Sequence, residues 1–274
     1  MIGICTDSSS QLPAELAVAY GIEVVPLTVT VDDVDYLEGV DLDADGFYAM
    51  YAGGHAPTVD TSQPSPGQFA AAYEDLIARG CTSILSVHIS AAFSGTLNAA
   101  RLAAHSMPVP VRLVDSGTAS FGVSCCVWAA AEALANGATL DEAAQVAERL
   151  APTIGNVFVV GALDHLAAGG RAAGLEDGDL PVLALRDGNV EVISRHTNAV
   201  DAVSAMAVCA IEWGQQLWVA VGHSDAATEP LADALHAAVS ESANVLRVVR
   251  YRVGPSVGAH TGPGTAGCFM FPGR

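Results

Sequence analysis

Short apolar runs alternate with Ala-rich helical patterns along the first half of the chain. Apolar strands that alternate with helices in this way are typical of a parallel sheet covered by helices on both faces. The pattern therefore predicts a three-layer α/β arrangement. The predicted strands are "IGICTD", "IEVVPLTVTV", "TSILSVHI" and "VRLVDS", and the predicted helices lie near residues 67–79, 95–106 and 119–136.

The pattern changes after a predicted helix near residues 139–150. "LPVLALRDGNVEVISRH" contains two strand-like runs around an Asp-Gly pair, which is a hairpin signal. Helices are predicted near 197–213 and 227–240, with the strands "NVFVVGAL", "LWVAVGHS" and "VLRVVRYRV" around them. We therefore divide the chain into an N-terminal α/β domain, residues 1–150, and a C-terminal α/β domain, residues 151–274.

Composition and charge exclude several functions. The chain has 274 residues, of which 51% are hydrophobic, and this length is ample for a buried core. Its net charge of −19 argues against nucleic acid and anionic membranes as partners. All 11 basic residues are Arg. Schiff-base chemistry, Ser–Lys catalysis and the lysine-containing P-loop are therefore excluded.

The apolar runs and the cysteines indicate a cytoplasmic protein. No run is long enough for a transmembrane helix, so we expect no stable membrane insertion. The N-terminus "MIGICTDSS" has no basic region and resembles a first strand more than a signal peptide. The six cysteines show no C-x-x-C spacing, which favours free thiols in a reducing compartment. The eight His show no ligand spacing, so no metal is expected.

Two motifs suggest other activities. "DLDADG", residues 41–46, matches the opening of a calcium-binding loop, but Ala52 stands where the bidentate Glu belongs; Asp43 also fits a helix N-cap. "GHSDA", residues 222–226, is one residue short of a nucleophile elbow at Ser224. A serine hydrolase would also need an acid and His260; otherwise Ser224 is an N-cap. The acid candidates are Asp233 and Glu241.

The stretch "HISAAFSGTLNAA" predicts an anion site where a strand gives way to a helix. Ser94 can cap the helix, while Gly95 leaves the first turn bare, so that a ligand can approach the backbone amides. In "TSQPSPGQF" a capping box explains Ser65 to Gln68 but not the hydroxyls of Thr61 and Ser62. An ordinary polar loop remains open there.

Two glycine-rich segments hold isolated functional side chains. "GAHTGPGTAG" surrounds His260 and Thr261 with Gly and Pro, an unusual setting for a structural His. "AAGGR" ends in Arg171, which fits a carboxylate or phosphate fork or a plain surface Arg.

These segments, taken in order, resemble the DegV family of fatty-acid-binding proteins. The resemblance spans nearly the whole chain. It implies a two-domain fold, with a three-layer parallel-sheet N-terminal domain, a two-layer mixed-sheet C-terminal domain and a lipid site between them. The matching segments are "TDSSSQLP", "TSQPSPGQF", "SGTLNAA", "VDS" at 114–116, "GGR" at 169–171 and "HTGPG" at 260–264.

The resemblance also implies a function. The chain would be a non-catalytic carrier that binds a long-chain fatty acid without a cofactor and presents it to an ATP-dependent fatty acid kinase for acyl phosphate formation. Arg171 would contact the partner or the phosphate. The residues implied for the ligand are Thr61, Ser62, Ser94, Gly95, Thr96, His260 and Thr261.

Two alternatives remain beside the carrier. One is the Ser224 hydrolase. The other is a small-metabolite binder related to dihydroxyacetone kinase subunits, in which His260 would hold the substrate covalently.

Overall fold

A computed structural model describes residues 1–161, 180–186 and 189–273. In chain order the strands are β1 (Ile2–Asp7), β2 (Glu23–Val25), β3 (Thr28–Val31), β4 (Val34–Leu37), β5 (Val59–Ser62), β6 (Ser83–His88), β7 (Val111–Asp115), β8 (Gly155–Val159), β9 (Leu180–Arg186), β10 (Asn189–His196), β11 (Leu217–His223), β12 (Val245–Arg252) and β13 (Ala266–Pro272). The helices are α1 (Ala14–Tyr20), α2 (Ala44–Ala49), α3 (Pro66–Ala78), α4 (Thr96–Ala104), α5 (Phe121–Ala135), α6 (Leu140–Leu150), α7 (Ala199–Ile211), α8 (Glu229–Ser240) and α9 (Pro255–Thr261).

The elements form two units. Unit 1 contains Met1–Asp41 and Asp60–Thr153, and unit 2 contains Leu42–Val59 and Ile154–Arg274. The sequence placed residues 42–59 in the N-terminal domain, and the structure corrects this. A Cβ at Gly258 of α9 would lie 2.5 Å from the Tyr48 hydroxyl, and Arg252 pairs with Asp45 at 2.8 Å. These contacts group the segment with unit 2.

Unit 1 is built on a parallel sheet in the order β2-β1-β6-β7. Helices α3 and α4 cover one face, where apolar side chains form a buried cluster. Helices α5 and α6 pack on strands of the same sheet, and α5 is buried along most of its length. A helix that is apolar around its whole circumference needs such cover. The cluster under α3 and α4 includes Cys5, Phe69, Tyr73, Leu76, Ile84 and Ala100.

A proline divides the second predicted strand. "IEVVPLTVTV" was predicted as one strand, but β2 joins the parallel sheet and β3 joins a three-stranded sheet in the order β4-β3-β5. Pro26 lies between them and has no N–H to donate to a sheet ladder, so the run is interrupted there. The chain then turns through Asp32 and Asp33, which both have positive φ.

Unit 2 is built on a mixed sheet in the order β10-β9-β8-β13-β11-β12. Strands β11 and β12 are parallel, and the other pairs are antiparallel, including the predicted hairpin partners β9 and β10. Helices α7 and α8 share a core with this sheet, and Met206 and Leu235 are completely buried in it. The structure thus confirms the α/β class, with a parallel sheet in unit 1 and a mixed sheet in unit 2. In the described ranges, no helix is long and apolar enough to cross a bilayer.

Gly267 tests the packing between β13 and β8. A Cβ at this position would lie 2.3 Å from the Val157 carbonyl oxygen and 2.6 Å from Phe158 Cα, both in backbone that cannot rotate away. We expect Gly267→Ala to lower the free energy of unfolding by about 1–3 kcal/mol or more. Gly214→Ala is the control, because its Cβ would meet only Leu217 Cδ2 at 3.5 Å. Equal urea midpoints for the two variants would contradict this packing.

Candidate functional site

The carboxyl ends of the parallel strands in unit 1 carry polar residues. Strands β1, β6 and β7 end at Asp7, His88 and Asp115, and His88 lies opposite Asp115 in the ladder. The loop after β6 is fixed to the loop after β7, because the Ser90 N–H donates to the Thr118 carbonyl at 2.9 Å. Ligands of open parallel sheets bind at this edge.

The Ser-Gly-Thr motif forms the entry to α4. Gly95 is the N-cap residue and the helix begins at Thr96. The Thr96 N–H donates to Ser94 Oγ at 3.3 Å, and the Ser94 and Thr96 hydroxyls lie 2.8 Å apart. The predicted cap at Ser94 is therefore wrong, because Gly95 is the N-cap residue, although the Ser94 hydroxyl still accepts one N–H at the helix start. Thr96 is completely buried, whereas Gly95 is exposed.

Gly95 lies against the Thr-Ser-Gln segment. A Cβ added at Gly95 would come within 3.1 Å of both Cδ and Nε2 of Gln63. Gln63 is exposed and follows Ser62 directly. The fold of unit 1 thus brings two motifs together that are well separated in sequence.

Thr61 and Ser62 occupy a strand. The sequence left an ordinary polar loop open, but both residues are the last of β5. Thr61 is half-buried and Ser62 is exposed. The sequence signal missed this strand because "VDTS" contains no run of apolar residues.

The capping box predicted after this strand is present. Ser65 Oγ accepts the Gln68 N–H at 3.3 Å, and Gln68 Oε1 accepts the Ser65 N–H at 2.9 Å. Pro66 is the first residue of α3. These bonds account for residues 65–68 and assign them to helix initiation.

His260 and Thr261 do not lie in a glycine-rich loop. Both belong to α9, a helix of seven residues in unit 2 that ends where Gly262 takes a positive φ of 71°. The Thr261 hydroxyl donates to the Val257 carbonyl at 3.3 Å, and His260 is exposed. The expectation of a loop fails because Pro255 starts a helix and only the Gly-Pro-Gly that follows breaks it. Arg171, the remaining predicted residue, lies outside the described residues.

Ser224 is held by structural hydrogen bonds. It is completely buried, its Oγ accepts the Thr265 N–H at 2.9 Å, and it lies 3.4 Å from Thr228 Oγ1. The predicted N-cap role is wrong: α8 begins at Glu229, and Asp225 Oδ1 accepts the Thr228 N–H at 3.0 Å. Asp233, one acid proposed for the hydrolase, pairs with Arg250 at 2.6 Å. This arrangement gives no support to a nucleophile.

Asp43 adopts the N-cap alternative. Its Oδ1 accepts the Gly46 N–H at 2.7 Å at the start of α2. Asp41 Oδ2 accepts the Leu37 N–H at 3.0 Å. In the part of the chain that the structure describes, no group of three or more His, Cys, Asp or Glu side chains could hold a metal ion.

Sequence reasoning missed a buried polar chain beneath the carboxyl edge of unit 1. His88 Nδ1 lies 2.8 Å from Asp7 Oδ2, and His88 Nε2 lies 2.6 Å from Ser86 Oγ. The Tyr73 hydroxyl lies 2.8 Å from the same Ser86 oxygen. All four side chains are completely buried. The available signal was the occurrence of Asp7 and His88 at the ends of otherwise apolar strands.

Comparison with known proteins identifies the family. The profile of the DegV family, described as uncharacterised, matches residues 1–273, and the chain therefore belongs to the DegV family. A DegV domain-containing protein from Streptomyces coelicolor is 37% identical over an alignment of 276 positions, which covers 97% of this chain and 96% of that protein.

Solved structures share the fold. A DegV family protein from Thermus thermophilus, described by its fatty acid binding, is 32% identical with a TM-score of 0.87, and 99% of each chain is covered. A DegV lipid-binding protein from Thermotoga maritima is 26% identical with a TM-score of 0.87, and 98% of each chain is covered.

His223, beside Ser224, gives a pH prediction. Burial lowers its pKa below the ordinary 6.5, and the Arg252 and Arg250 guanidinium groups add to this effect; Arg250 Nη2 lies 3.3 Å from Nδ1. The unfolded chain then binds more protons below about pH 6.5, so stability falls as the pH falls. We expect His223→Gln to flatten the melting temperature profile between about pH 6.5 and 5. Parallel profiles for the two proteins would contradict this.

Proposed function

We propose that the protein is a non-catalytic carrier that binds one long-chain fatty acid. The carboxylate binds at Ser94, Gly95 and Thr96, with Thr61 and Ser62 beside them. One observation carries the proposal: the Gln63 amide lies within 3.1 Å of a Cβ position on Gly95, so both headgroup motifs meet in unit 1.

The start of α4 suits a carboxylate. Among the described residues, the backbone N–H groups of Gly95 and Leu97 donate to no acceptor. Unpaired amides at a helix N-terminus carry partial positive charge and bind anions. The missing Gly95 side chain lets the Gln63 amide lie against the helix start, and the Ser94–Thr96 hydroxyl pair adds a donor. A permanent cation is not required, which agrees with a chain that contains no Lys.

The acyl chain supplies most of the affinity. Each buried methylene contributes about 0.8 kcal/mol, so a long chain gains roughly 10 kcal/mol. Ordering the ligand and the protein costs several kcal/mol of this gain. Hydroxyls and amides at the headgroup then decide which end group binds.

The relatives support the ligand class. The Thermus thermophilus and Thermotoga maritima proteins, which share the fold over almost the whole chain, are described as fatty-acid-binding and lipid-binding. His260 and Thr261 belong to the proposal through the family resemblance alone, with His260 donating to the carboxylate.

Ser94 and Ser65 form a matched pair for a binding test. Each serine accepts a backbone N–H at a helix start, at 3.3 Å in both cases, so each Ala variant loses about 1 kcal/mol of stability. Ser94→Ala should weaken palmitate binding about 5- to 30-fold, the effect of one lost hydrogen bond to a charged group. Ser65→Ala should not weaken it. The measurement is displacement of a fluorescent fatty acid from delipidated protein.

Two outcomes would contradict the carrier. One is delipidated protein that binds no fatty acid. The other is an esterase activity that disappears in Ser224→Ala and survives in Ser94→Ala, which would favour the hydrolase. A small metabolite held covalently on His260 would favour the metabolite binder.

The carrier presents its fatty acid to an ATP-dependent fatty acid kinase. This second step rests on the family resemblance and on Arg171, whose guanidinium fits docking or the new phosphate. With a supplied kinase, we expect Arg171→Ala to lower acyl phosphate formation while palmitate affinity stays unchanged. His260→Ala should lower palmitate affinity itself. Loss of palmitate affinity in Arg171→Ala would instead assign the Arg to the headgroup.

A further inference from the structure

We infer that the buried Asp7–His88 pair is the positioning element of the headgroup site and sets its preference for a carboxylate. The inference rests on the proposed fatty acid site. Neither residue contacts the ligand in this scheme, since both side chains are completely buried. They act on the loop that presents Ser94 and Gly95.

Asp7 collects donors from three parts of unit 1. Its Oδ2 accepts the Ile89 N–H at 3.2 Å and faces His88 Nδ1 at 2.8 Å. Its Oδ1 accepts the Ser9 hydroxyl. Two neighbouring strands and the loop after each are therefore joined at one carboxylate.

The chain of hydrogen bonds has one consistent direction. Every donor finds one acceptor when Tyr73 donates to Ser86 Oγ, Ser86 donates to His88 Nε2, and His88 Nδ1–H donates to Asp7. Burial raises the pKa of the Tyr73 hydroxyl, which keeps its proton available for this role. The Asp7 oxygen and the imidazole ring are thus fixed in orientation from both ends.

The Ile89 bond connects this chain to the headgroup loop. Ile89 is followed by Ser90, whose carbonyl accepts the Ser94 N–H at 3.2 Å and the Phe93 N–H at 2.9 Å. Two hydrogen bonds, joined by the Ile89–Ser90 peptide bond, therefore connect the Asp7 carboxylate to Ser94. The path ends at the residue proposed to bind the ligand.

His88 also contacts the second headgroup segment. Its ring packs edge-on against Phe69, with centroids 5.0 Å apart. Phe69 is completely buried in the first turn of α3, and its N–H donates to the Ser65 carbonyl at 3.3 Å. One imidazole thus touches the segment after Thr61 and Ser62 and also holds the Asp7 that anchors the Ser94 loop.

Stability alone does not explain why Asp7 and His88 are buried together. Taking an Asp and a His out of water costs free energy that their mutual attraction often fails to exceed, and an apolar pair of similar volume packs as well. The rest of the cluster against α3 and α4 is apolar in this way. Fixed geometry at the sheet edge is what the polar pair adds.

Two substitutions at His88 separate positioning from packing. The Asn side chain of His88→Asn places its amide N–H where Nδ1 lies, so it still donates a hydrogen bond to Asp7. The longer Gln side chain of His88→Gln reaches toward Ser86 instead and no longer donates to Asp7. The readout is the ratio of palmitate to hexadecanol affinity, since the two ligands share the chain length and differ in the headgroup. We expect this ratio to fall about tenfold in His88→Gln, as for one displaced hydrogen bond to a charged group, and to change little in His88→Asn.

Thr6→Val is the control, because it removes a buried hydroxyl that donates to the Val87 carbonyl at 2.8 Å and leaves every bond of the Tyr73–Ser86–His88–Asp7 chain intact. Its affinity ratio should match that of the unmodified protein. An equal loss of palmitate and hexadecanol affinity in His88→Gln would overturn the inference. Failure of the unmodified protein to bind palmitate would overturn the proposed function and this inference with it.

If His88→Gln does not fold, the inference can be tested on the unmodified protein. The amide resonance of Ile89 should shift on addition of palmitate but not of hexadecanol. Only the palmitate carboxylate binds strongly enough to the Ser94 loop to change the hydrogen bond between Ile89 and Asp7. A shift of the Gly95 amide with an unmoved Ile89 amide would show that the pair is not coupled to the site.

Discussion

A carboxylate removed from water must find donors within the protein, and in unit 1 this requirement falls on Asp7. Three donors from β1's own loop, from β6 and from the residue after β6 meet its two oxygens. Each donor comes from a segment that must stay in register for the bond to form. The carboxyl edge of the parallel sheet is therefore fixed by polar contacts as well as by the apolar packing of α3 and α4.

On this fixed edge, the proposed headgroup site would recognise an anion with weak donors. The protein's Arg residues are few, and several are engaged elsewhere: Arg112 pairs with Glu148, Arg250 with Asp233 and Arg252 with Asp45. Backbone amides and hydroxyls at the start of α4 carry less charge than a guanidinium, so their orientation matters more. A rigid sheet edge suits the proposed headgroup site, whose described donors are amides and hydroxyls.

The sequence predicted the alternation of strands and helices, the parallel sheet and the caps at Asp43 and Ser65, because each depends on local spacing. It left an ordinary polar loop open at Thr61 and Ser62 and placed His260 in a glycine-rich loop. A short polar strand has no apolar periodicity, and a helix of seven residues containing two Gly or Pro has little helical propensity.

Other features depend on contacts that sequence spacing does not reveal. The segment 42–59 belongs to unit 2 because α2 packs against Gly258, and the Asp7–His88 pair forms because β1 and β6 are neighbours in the sheet. Asp7 and His88 each have an ordinary local context. Only the strand order shows that they share hydrogen bonds.

The close approach at Gly95 has a consequence for how the family varies. The space above this glycine is already occupied by the exposed amide of Gln63. A side chain at position 95 would need that amide to withdraw, and a shorter residue at position 63 would provide the room. We therefore expect positions 63 and 95 to change together during divergence, with the size of one limiting the size of the other.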